Sequence, residues 1–487
     1  MMETLTLELS NIEISFLDKV ILDIPKLSVY QFDRIGIVGQ NGSGKSTLLK
    51  LIKGELHPNK GKVNHQVDFG YFEQTEPPTD GTFDYQMLGR LAIPETARNH
   101  LSGGEQTRLK LAQLFSTYYE GLLLDEPTTH LDQSGHQFLI EELKYYYGSL
   151  LLVSHDRYVL DELVNKIWEV KDGKVTEYTG NYSDYIAQKK LEKEQQQEQH
   201  EKYVKDKNRL LKAAEEKMKK AQKVTQASKK TSQKETKAKA NLMFMTKSKD
   251  TSQKAIHKAA KALEQRVEQL EVVEAPERER SISFPQPASL QLHNKFPVMA
   301  DRLTLKIKGK TLLDDVSFQF PLGQTIAITG DNGSGKSTLL RHILQNGEGL
   351  TISPKVEFGY YAQLSYHFKK EETVYSYIEE RSVHEEKVIR AALHSMNFSG
   401  NDIKKDVRSL SGGERIRLIL CQLFLGRYNV LVLDEPTNFL DVNCMQALEA
   451  FIKGYAGTVL LVSHDRTFVK QVADQKYKIE NQKLNLL

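Results

Sequence analysis

Only two cysteines occur in the chain, Cys421 and Cys444, and neither stands in a ligand-like spacing. That excludes a disulfide framework and a cysteine-based zinc site, and it points to a reduced, cytosolic protein. No run approaches the roughly 18 consecutive apolar residues of a membrane span. The first ten residues have neither a basic region nor a long apolar core, so no signal peptide is expected. Arginine is missing from residues 211–260, which hold 14 Lys and only 4 acids (Glu215, Glu216, Glu235 and Asp250), +10 by difference. The whole chain is +3, which leaves −7 for everything outside that window. The positive charge is concentrated in mid-chain.

At 487 residues, two or more domains are expected, and 39% hydrophobic residues suffice for globular cores outside the middle. Residues 185–280 are rich in Lys, Glu and Gln and almost free of aromatics. Tyr203, Leu210, Ala214, Ala221 and Val224 recur at sevens, fours and threes, and Ile256, Ala260, Leu263, Val267 and Leu270 alternate fours and threes. Each set is one apolar stripe on a helix, which suits an antiparallel coiled-coil hairpin. Residues 228–252 lose the periodicity and read as a turn or loop carrying Leu242, Met243, Phe244 and Met245. That cluster is either a local cap or a tip that inserts into a partner. The lysines are either a solvated spacer or a phosphate-contacting surface. Two apolar stripes with a net +10 favour nucleic acid.

On the N-terminal side, the apolar run 34–38 reads as a buried parallel strand. It leads into Gly39, Gln40, Asn41, Gly42, Ser43, Gly44, Lys45, Ser46 and Thr47. This is the phosphate-binding loop pattern: glycines turn backbone N–H groups toward an anion, and the next helix adds its N-terminal dipole. Lys45 reaches the β- and γ-phosphates in such a loop, and Ser46 holds Mg²⁺. Gln74 follows, then Leu101, Ser102, Gly103, Gly104 and Glu105 at the start of a helix, a second anion-binding device. Next, an apolar strand ends in Asp125, able to hold Mg²⁺ through water, and Glu126, able to orient and deprotonate an attacking water. Leu131 and Asp132 follow. His155 ends a further strand; alone it reads as structural, but in this order it faces a γ-phosphate.

The series repeats as Gly330, Asn332, Gly333, Gly335, Lys336, Ser337 and Thr338, then Gln363, Ser411, Gly412 and Gly413, Asp434 and Glu435, Asp441, and His464. The signature (101, 410), the acidic pair (125, 434) and the histidine (155, 464) all share an offset of 309. From glutamine to signature the gap is 27 residues in the first copy (74 to 101) and 47 in the second (363 to 410), so the first has a shortened helical subdomain.

This ordered set resembles the ATP-binding cassette ATPases, and the whole chain resembles their ABC-F family, specifically its antibiotic-resistance ribosomal protection branch (macrolide, streptogramin and lincosamide type). The resemblance implies an α/β fold: two ABC-type P-loop ATPase domains joined by a long α-helical hairpin linker. The divisions are 1–184, 185–280 with a tip near 228–252, and 281–487. It implies ATPase activity with ATP at two sites and Mg²⁺. Glu126, Glu435, His155 and His464 would be catalytic, and Ser46, Gln74, Asp125, Ser337, Gln363 and Asp434 would surround the metal. Asp132 and Asp441 join the nucleotide-binding set. In the family each ATP lies between one copy's phosphate loop and the other's signature, so residues 39–47 would face Ser411, Gly412 and Gly413, and residues 330–338 would face Ser102, Gly103 and Gly104. Phe16 stands where the family stacks an aromatic on adenine, with a core strand phenylalanine as the other reading; the second copy offers Ile307. The implied partner is the 70S ribosome, with rRNA and P-site tRNA met by the linker. The implied state is a cytoplasmic, ribosome-associated monomer that pairs its cassettes within the chain and needs no permease. The alternatives are a housekeeping ABC-F translation factor and the ATPase subunit of a membrane transporter, which needs no basic hairpin. A coiled-coil chromosome or repair ATPase is disfavoured, because there the coil interrupts a single cassette.

Overall fold

In the computed structural model, the residues described are 4–16, 19–73, 85–91, 103–129, 131, 133–232, 255, 258–263, 265–273, 275, 282–307, 309–361, 368–398, 400–438 and 440–487. The chain divides into two compact units, Met1–Tyr185 with Arg280–Leu487, and Ile186–Glu279.

The first unit is built twice over from the same plan. Strands β1 (Leu5–Phe16), β2 (Lys19–Tyr30) and β4 (Lys60–His65) form an antiparallel sheet in the order β2-β1-β4. Strands β3 (Arg34–Val38), β5 (Phe69–Phe72), β6 (Gly121–Asp125), β7 (Ser149–Val153), β8 (Lys166–Lys171) and β9 (Lys174–Thr179) form a second sheet, ordered β5-β6-β7-β3-β8-β9. Its first five strands are parallel, and β9 returns antiparallel to β8. Every residue of β6 and β7 is buried, which is why these strands read as unbroken apolar runs. Alternation still sorts the faces. Ile35, Ile37, Leu123, Leu151 and Val153 pack with Leu7, Leu9 and Ile12 of the antiparallel sheet. Leu122, Leu124, Leu150 and Leu152 pack on the opposite face with Leu139, Leu143 and Leu160.

The second copy repeats this with β10 (Val298–Ile307), β11 (Lys310–Phe320) and β13 (Leu350–Ile352) in one sheet, ordered β11-β10-β13. The other sheet is β14 (Phe358–Tyr361), β15 (Val430–Asp434), β16 (Thr458–Val462), β12 (Thr325–Thr329), β17 (Gln475–Glu480) and β18 (Lys483–Leu486), in that order. Its helical subdomain includes Val374–Glu379 and Glu386–Ser395, whose buried Val374, Ile378, Ile389, Ala392 and Leu393 join one core with the helix Gly412–Leu425. Between β5 and the helix Gly103–Phe115 the first copy has one described helix, Tyr85–Arg90; Leu91, just after it, packs in a small cluster with Ala112 and Phe138.

The second unit contains most of a 51-residue helix, Tyr182–Ser232, roughly 77 Å long at 1.5 Å per residue. Its exposure follows the expected stripe: Tyr203 and Leu210 are half-buried and Ala214 is buried. In the returning arm, residues 258–263 and 265–268 are helical; Ala260 is buried, and Leu263, Val267 and Leu270 are half-buried. His200 Nδ1 lies 2.7 Å from the Val273 carbonyl, so the arms run back along one another. The helix continues to Ser232, past position 228, where the sequence predicts a loop. The reason is local: Lys, Gln and Ala in 222–230 are strong helix formers, and loss of an apolar stripe does not by itself end a helix. The cluster Leu242, Met243, Phe244 and Met245 lies outside the described residues.

Candidate functional site

The functional residues collect at the carboxyl ends of the parallel strands, where this sheet type places its ligands. After β3, the loop 39–44 turns through Gly39, Gly42 and Gly44 at φ 154°, 80° and 106° and enters the helix Lys45–Lys53. Glycine is required at 39, because a Cβ there would lie 2.4 Å from the Val170 carbonyl oxygen of β8; at Gly330 the corresponding distance to Ile479 O is 2.7 Å. Lys45 is buried and donates to Gly39 O at 2.8 Å and Gln40 O at 3.1 Å, while Lys336 donates to Gly330 O at 2.7 Å and Asp331 O at 2.9 Å. Both ammonium groups thus point into their own loops. The Ser43 and Ser334 hydroxyls are buried there without a hydrogen-bond partner.

Asp125 ends β6 and is hydrogen-bonded to Ser46; Ser337 Oγ donates to Asp434 Oδ1 at 3.0 Å. Burial raises both aspartates above the ordinary carboxylate range, against the lowering effect of the serines and lysines. Serine and carboxylate oxygens on a hard-donor site fit Mg²⁺, which takes few protein ligands and keeps several waters and phosphate oxygens. Gln74 and Gln363 lie outside the described residues. No group of three or more His, Cys, Asp or Glu that could hold a metal occurs among the described residues.

Glu126 and Glu435 each adopt φ 52°, a left-handed conformation uncommon outside glycine. Their amides still donate to the neighbouring strand, to Val153 O and Val462 O at 2.9 Å each. The turn ends the strand and carries the carboxylate over to the histidine. His155 Nε2 lies 3.4 Å from Glu126 Oε1, and His464 Nε2 lies 3.4 Å from Glu435 Oε1. Burial pushes both glutamates up to about 8, opposed by Lys45 and Lys336 respectively. Burial, then the Lys45 charge, pushes His155 down to about 3, so its ring is neutral. Oε1 of each glutamate is buried without a hydrogen-bond partner. In its ionised form, which at a value of about 8 is the minor one at neutral pH, such a buried carboxylate with one unsatisfied oxygen is placed to take a proton from a water.

The cassettes meet at this level. The Asn41 amide donates to Asp441 Oδ2 at 3.1 Å, while Asp441 Oδ1 caps the helix Val442–Gly454 through the Cys444 amide at 2.9 Å. Burial alone would raise the Asp441 carboxyl; the two amides hold it below its ordinary range. An ideal Cβ on Gly413 would sit 3.9 Å from Asn41 Nδ2, so the second signature lies against the first phosphate loop. Ser411 caps the helix Gly412–Leu425 in a reciprocal box with Glu414, the local reason for that Ser-to-Glu spacing. Gly103, Gly104, Asn332, Gly333, Gly412 and Gly413 all line one cavity of about 1780 Å³ between the cassettes, roomy for more than one ligand-sized site. Ser102 and Asp132 lie outside the described residues. Thr47 and Thr338 follow their serines in the first turn of each helix, Thr338 on the cavity wall.

Phe16 and Ile307 occupy matching strand ends, opposite Lys19 and Lys310, and are 50% and 44% exposed. Phe16 is therefore not a core residue. The sequence reading missed the cross-cassette pair Arg157 Nη1–Glu449 Oε1 at 2.9 Å and the contact of His136 with Asp156. For His136 a signal existed: it lies four residues after the repeated Leu–Asp step (131–132 and 440–441), and adding the offset of 309 finds Met445 there in the second copy.

A family model described as ABC transporter matches residues 22–79 and 313–438, and a second so described matches 168–236. The erythromycin resistance ATP-binding protein MsrA of Staphylococcus epidermidis is 39% identical over 99% of both chains. This chain is an ABC-F twin-cassette ATPase. The ABC-F chain is also similar to the ribosome protection protein VmlR of Bacillus subtilis (strain 168), 33% identical over 97% of this chain and 86% of that one. A solved RNase-L inhibitor shares the fold, with a TM-score of 0.66 at 19% identity over 98% of this chain and 90% of that one. No described helix is long and apolar enough to cross a membrane.

Proposed function

We propose that this ATPase protects ribosomes from antibiotics, closing its cassettes on two ATP molecules and using the basic hairpin to act at a ribosomal tRNA site. In this reading the chain divides into a first cassette at 1–184, a linker at 185–280 and a second cassette at 281–487. Mg²⁺ at Ser46 and Asp125, and at Ser337 and Asp434, supplies charge neutralisation to the phosphates. Lys45 and Lys336 leave their loop carbonyls to bind the β- and γ-phosphates. Glu126 and Glu435 orient and deprotonate the attacking water, and His155 and His464 hold those carboxylates and face the γ-phosphate. Ser411, Gly412 and Gly413 complete the first site, and Ser102, Gly103 and Gly104 the second.

The observation that carries the ATP half is the approach of Asn41 to Asp441 and Gly413, which sets the first phosphate loop against the other cassette's signature. The ribosome half rests on the two relatives named for erythromycin resistance and ribosome protection, together with the +10 window in the linker. Lysines on a long hairpin suit RNA phosphates, which they meet without reading sequence. The test is expression in a drug-sensitive bacterium challenged with macrolides, lincosamides and streptogramins. Raised tolerance to at least one class that disappears in the Glu126→Gln, Glu435→Gln double variant is expected. Unchanged susceptibility to the whole panel, with the protein made in full, would overturn the protective role.

A further inference from the structure

His136 lies on the helix Gln133–Tyr145, and both of its ring nitrogens face acceptors. Nδ1 is 3.2 Å from Asp156 Oδ2, and Nε2 is 3.2 Å from the Thr128 carbonyl oxygen. A neutral imidazole carries one N–H, so this pair of contacts calls for the imidazolium, which carries two. Burial opposes the charge, but Asp156 and the Thr128 carbonyl outweigh it and hold the ring above the ordinary histidine range. His136 and Asp156 share a small cavity with His464 and Arg466 of the other cassette. The charged and titratable groups around the ring are Asp156 and Tyr158 from its own cassette, and Glu435, His464, Asp465 and Arg466 from the other.

The duplicate lacks this cation. Met445 replaces the histidine, although the surrounding framework repeats: Thr128 and Ser154 hydroxyls lie 3.4 Å apart, Thr437 and Ser463 hydroxyls 3.3 Å. The charges near the two glutamates differ in kind, a positive His136 toward Glu435 and a negative Asp156 toward Glu126, each a small influence beside the burial that carries both to about 8.

We propose that His136 is a positioning residue of the ATP site built on Lys336, Asp434 and Glu435: its imidazolium, held by cassette one, stands across the interface from Glu435 and His464 and makes the two sites unequal. The proposal rests on the reading of Glu435 as the water-activating carboxylate. The helix carrying His136 lines a cavity shared with His464 and Arg466, so bringing the two cassettes together also delivers the charge. Closure and the electrostatics of one site are thereby coupled through a single side chain.

The test is site-resolved single-turnover ATP hydrolysis, with Glu126→Gln leaving the Glu435 site active and Glu435→Gln leaving the other. His136→Met, which copies the duplicate, should slow the Glu435 site about fivefold or more and leave the Glu126 site nearly unchanged. His136→Gln, which folds more conservatively and keeps a donor without the charge, should behave like Met. In full-length protein labelled with ¹⁵N-histidine, the signal lost in either variant should show both ring nitrogens protonated at pH 7.5. Equal slowing at both sites, rescue by Gln, or a neutral ring at that pH overturns the proposal. Undiminished single-turnover hydrolysis in the Glu126→Gln, Glu435→Gln double variant would instead overturn the assignment of Glu435, and the proposal with it.

Discussion

The clearest physical consequence of the site is a pH-dependent strain on the fold itself. Glu126 and Glu435 are each pushed from the ordinary value of 4.5 to about 8 by burial. In the unfolded chain both ionise near 4.5, so between pH 4.5 and 8 the folded state binds more protons. Stability therefore falls as pH rises through that window. One pKa unit is about 1.4 kcal/mol, which sets an upper bound of roughly 5 kcal/mol lost per site by pH 9. Glutamine in place of glutamate removes the titration. Its amide adds a buried donor that costs about 1–3 kcal/mol if unpaired, but that cost is the same at every pH. The informative quantity is thus the change with pH, not the absolute stability. In thermal unfolding without nucleotide, the gap between the Glu126→Gln, Glu435→Gln protein and wild type should widen in the variant's favour from pH 5.5 to 9. At about 2–4 °C per kcal/mol for domains of this size, the widening should be several degrees. His155 supplies an internal control. Its folded value of about 3 lies below the unfolded one, so stability is lost as pH falls below about 6.5, and both proteins keep that acid limb. Parallel curves for the two proteins above pH 6 would refute the buried, uncompensated carboxyls.

Four further outcomes follow from the same geometry. The double glutamine variant should hydrolyse ATP at least a hundredfold more slowly, as expected for loss of a general base, and should accumulate on ribosomes and slow growth; wild-type turnover would remove both glutamates from the chemistry. Phe16→Ala should weaken ATP against GTP discrimination at the first site, by up to about 1–3 kcal/mol if the ring stacks on adenine, with nucleotide competition as the assay and no shift as the contrary result. Neutralising Lys229, Lys230, Lys234, Lys237 and Lys239 should weaken ribosome co-sedimentation and flatten its salt dependence, which unspecific tethering would leave unchanged. Replacing Leu242, Met243, Phe244 and Met245 by Ser should spare ATPase activity and most ribosome affinity but abolish drug tolerance; full tolerance would return the linker to a charged tether.

The fold was legible wherever physical chemistry is local or repeated. Gly121–Asp125 and Ser149–Val153 announce themselves because strands buried on both faces have no room for polar residues. The phosphate loops are legible because glycine alone fits beside the Val170 and Ile479 carbonyls. What the sequence conceals is non-local. Nothing near Asn41 in the chain says that its amide meets Asp441, 400 residues away. The left-handed backbone of Glu126 and Glu435 is equally hidden, since glutamate has no preference for it and the surrounding strand imposes it. The first linker helix runs on past the end of its apolar stripe, because polar lysine-rich sequence can hold a helix without one.

The duplication gives these differences their meaning. Two cassettes that share an offset of 309 across signature, acidic pair and histidine could have stayed interchangeable. Two of the departures are an exposed strand end, Phe16 against Ile307, and a residue on the cavity between the cassettes, His136 against Met445. Lys45 and Lys336 and the Ser–Asp pairs, by contrast, are repeated almost atom for atom. An interface that closes on two ligands can act in steps only if its two halves differ in energy. In the proposed reading, that difference would come from side chains at the edges of the sites, with the repeated lysines, aspartates and glutamates left in place in both. A hairpin joined to both cassettes would, in the same reading, receive the closing motion in two steps.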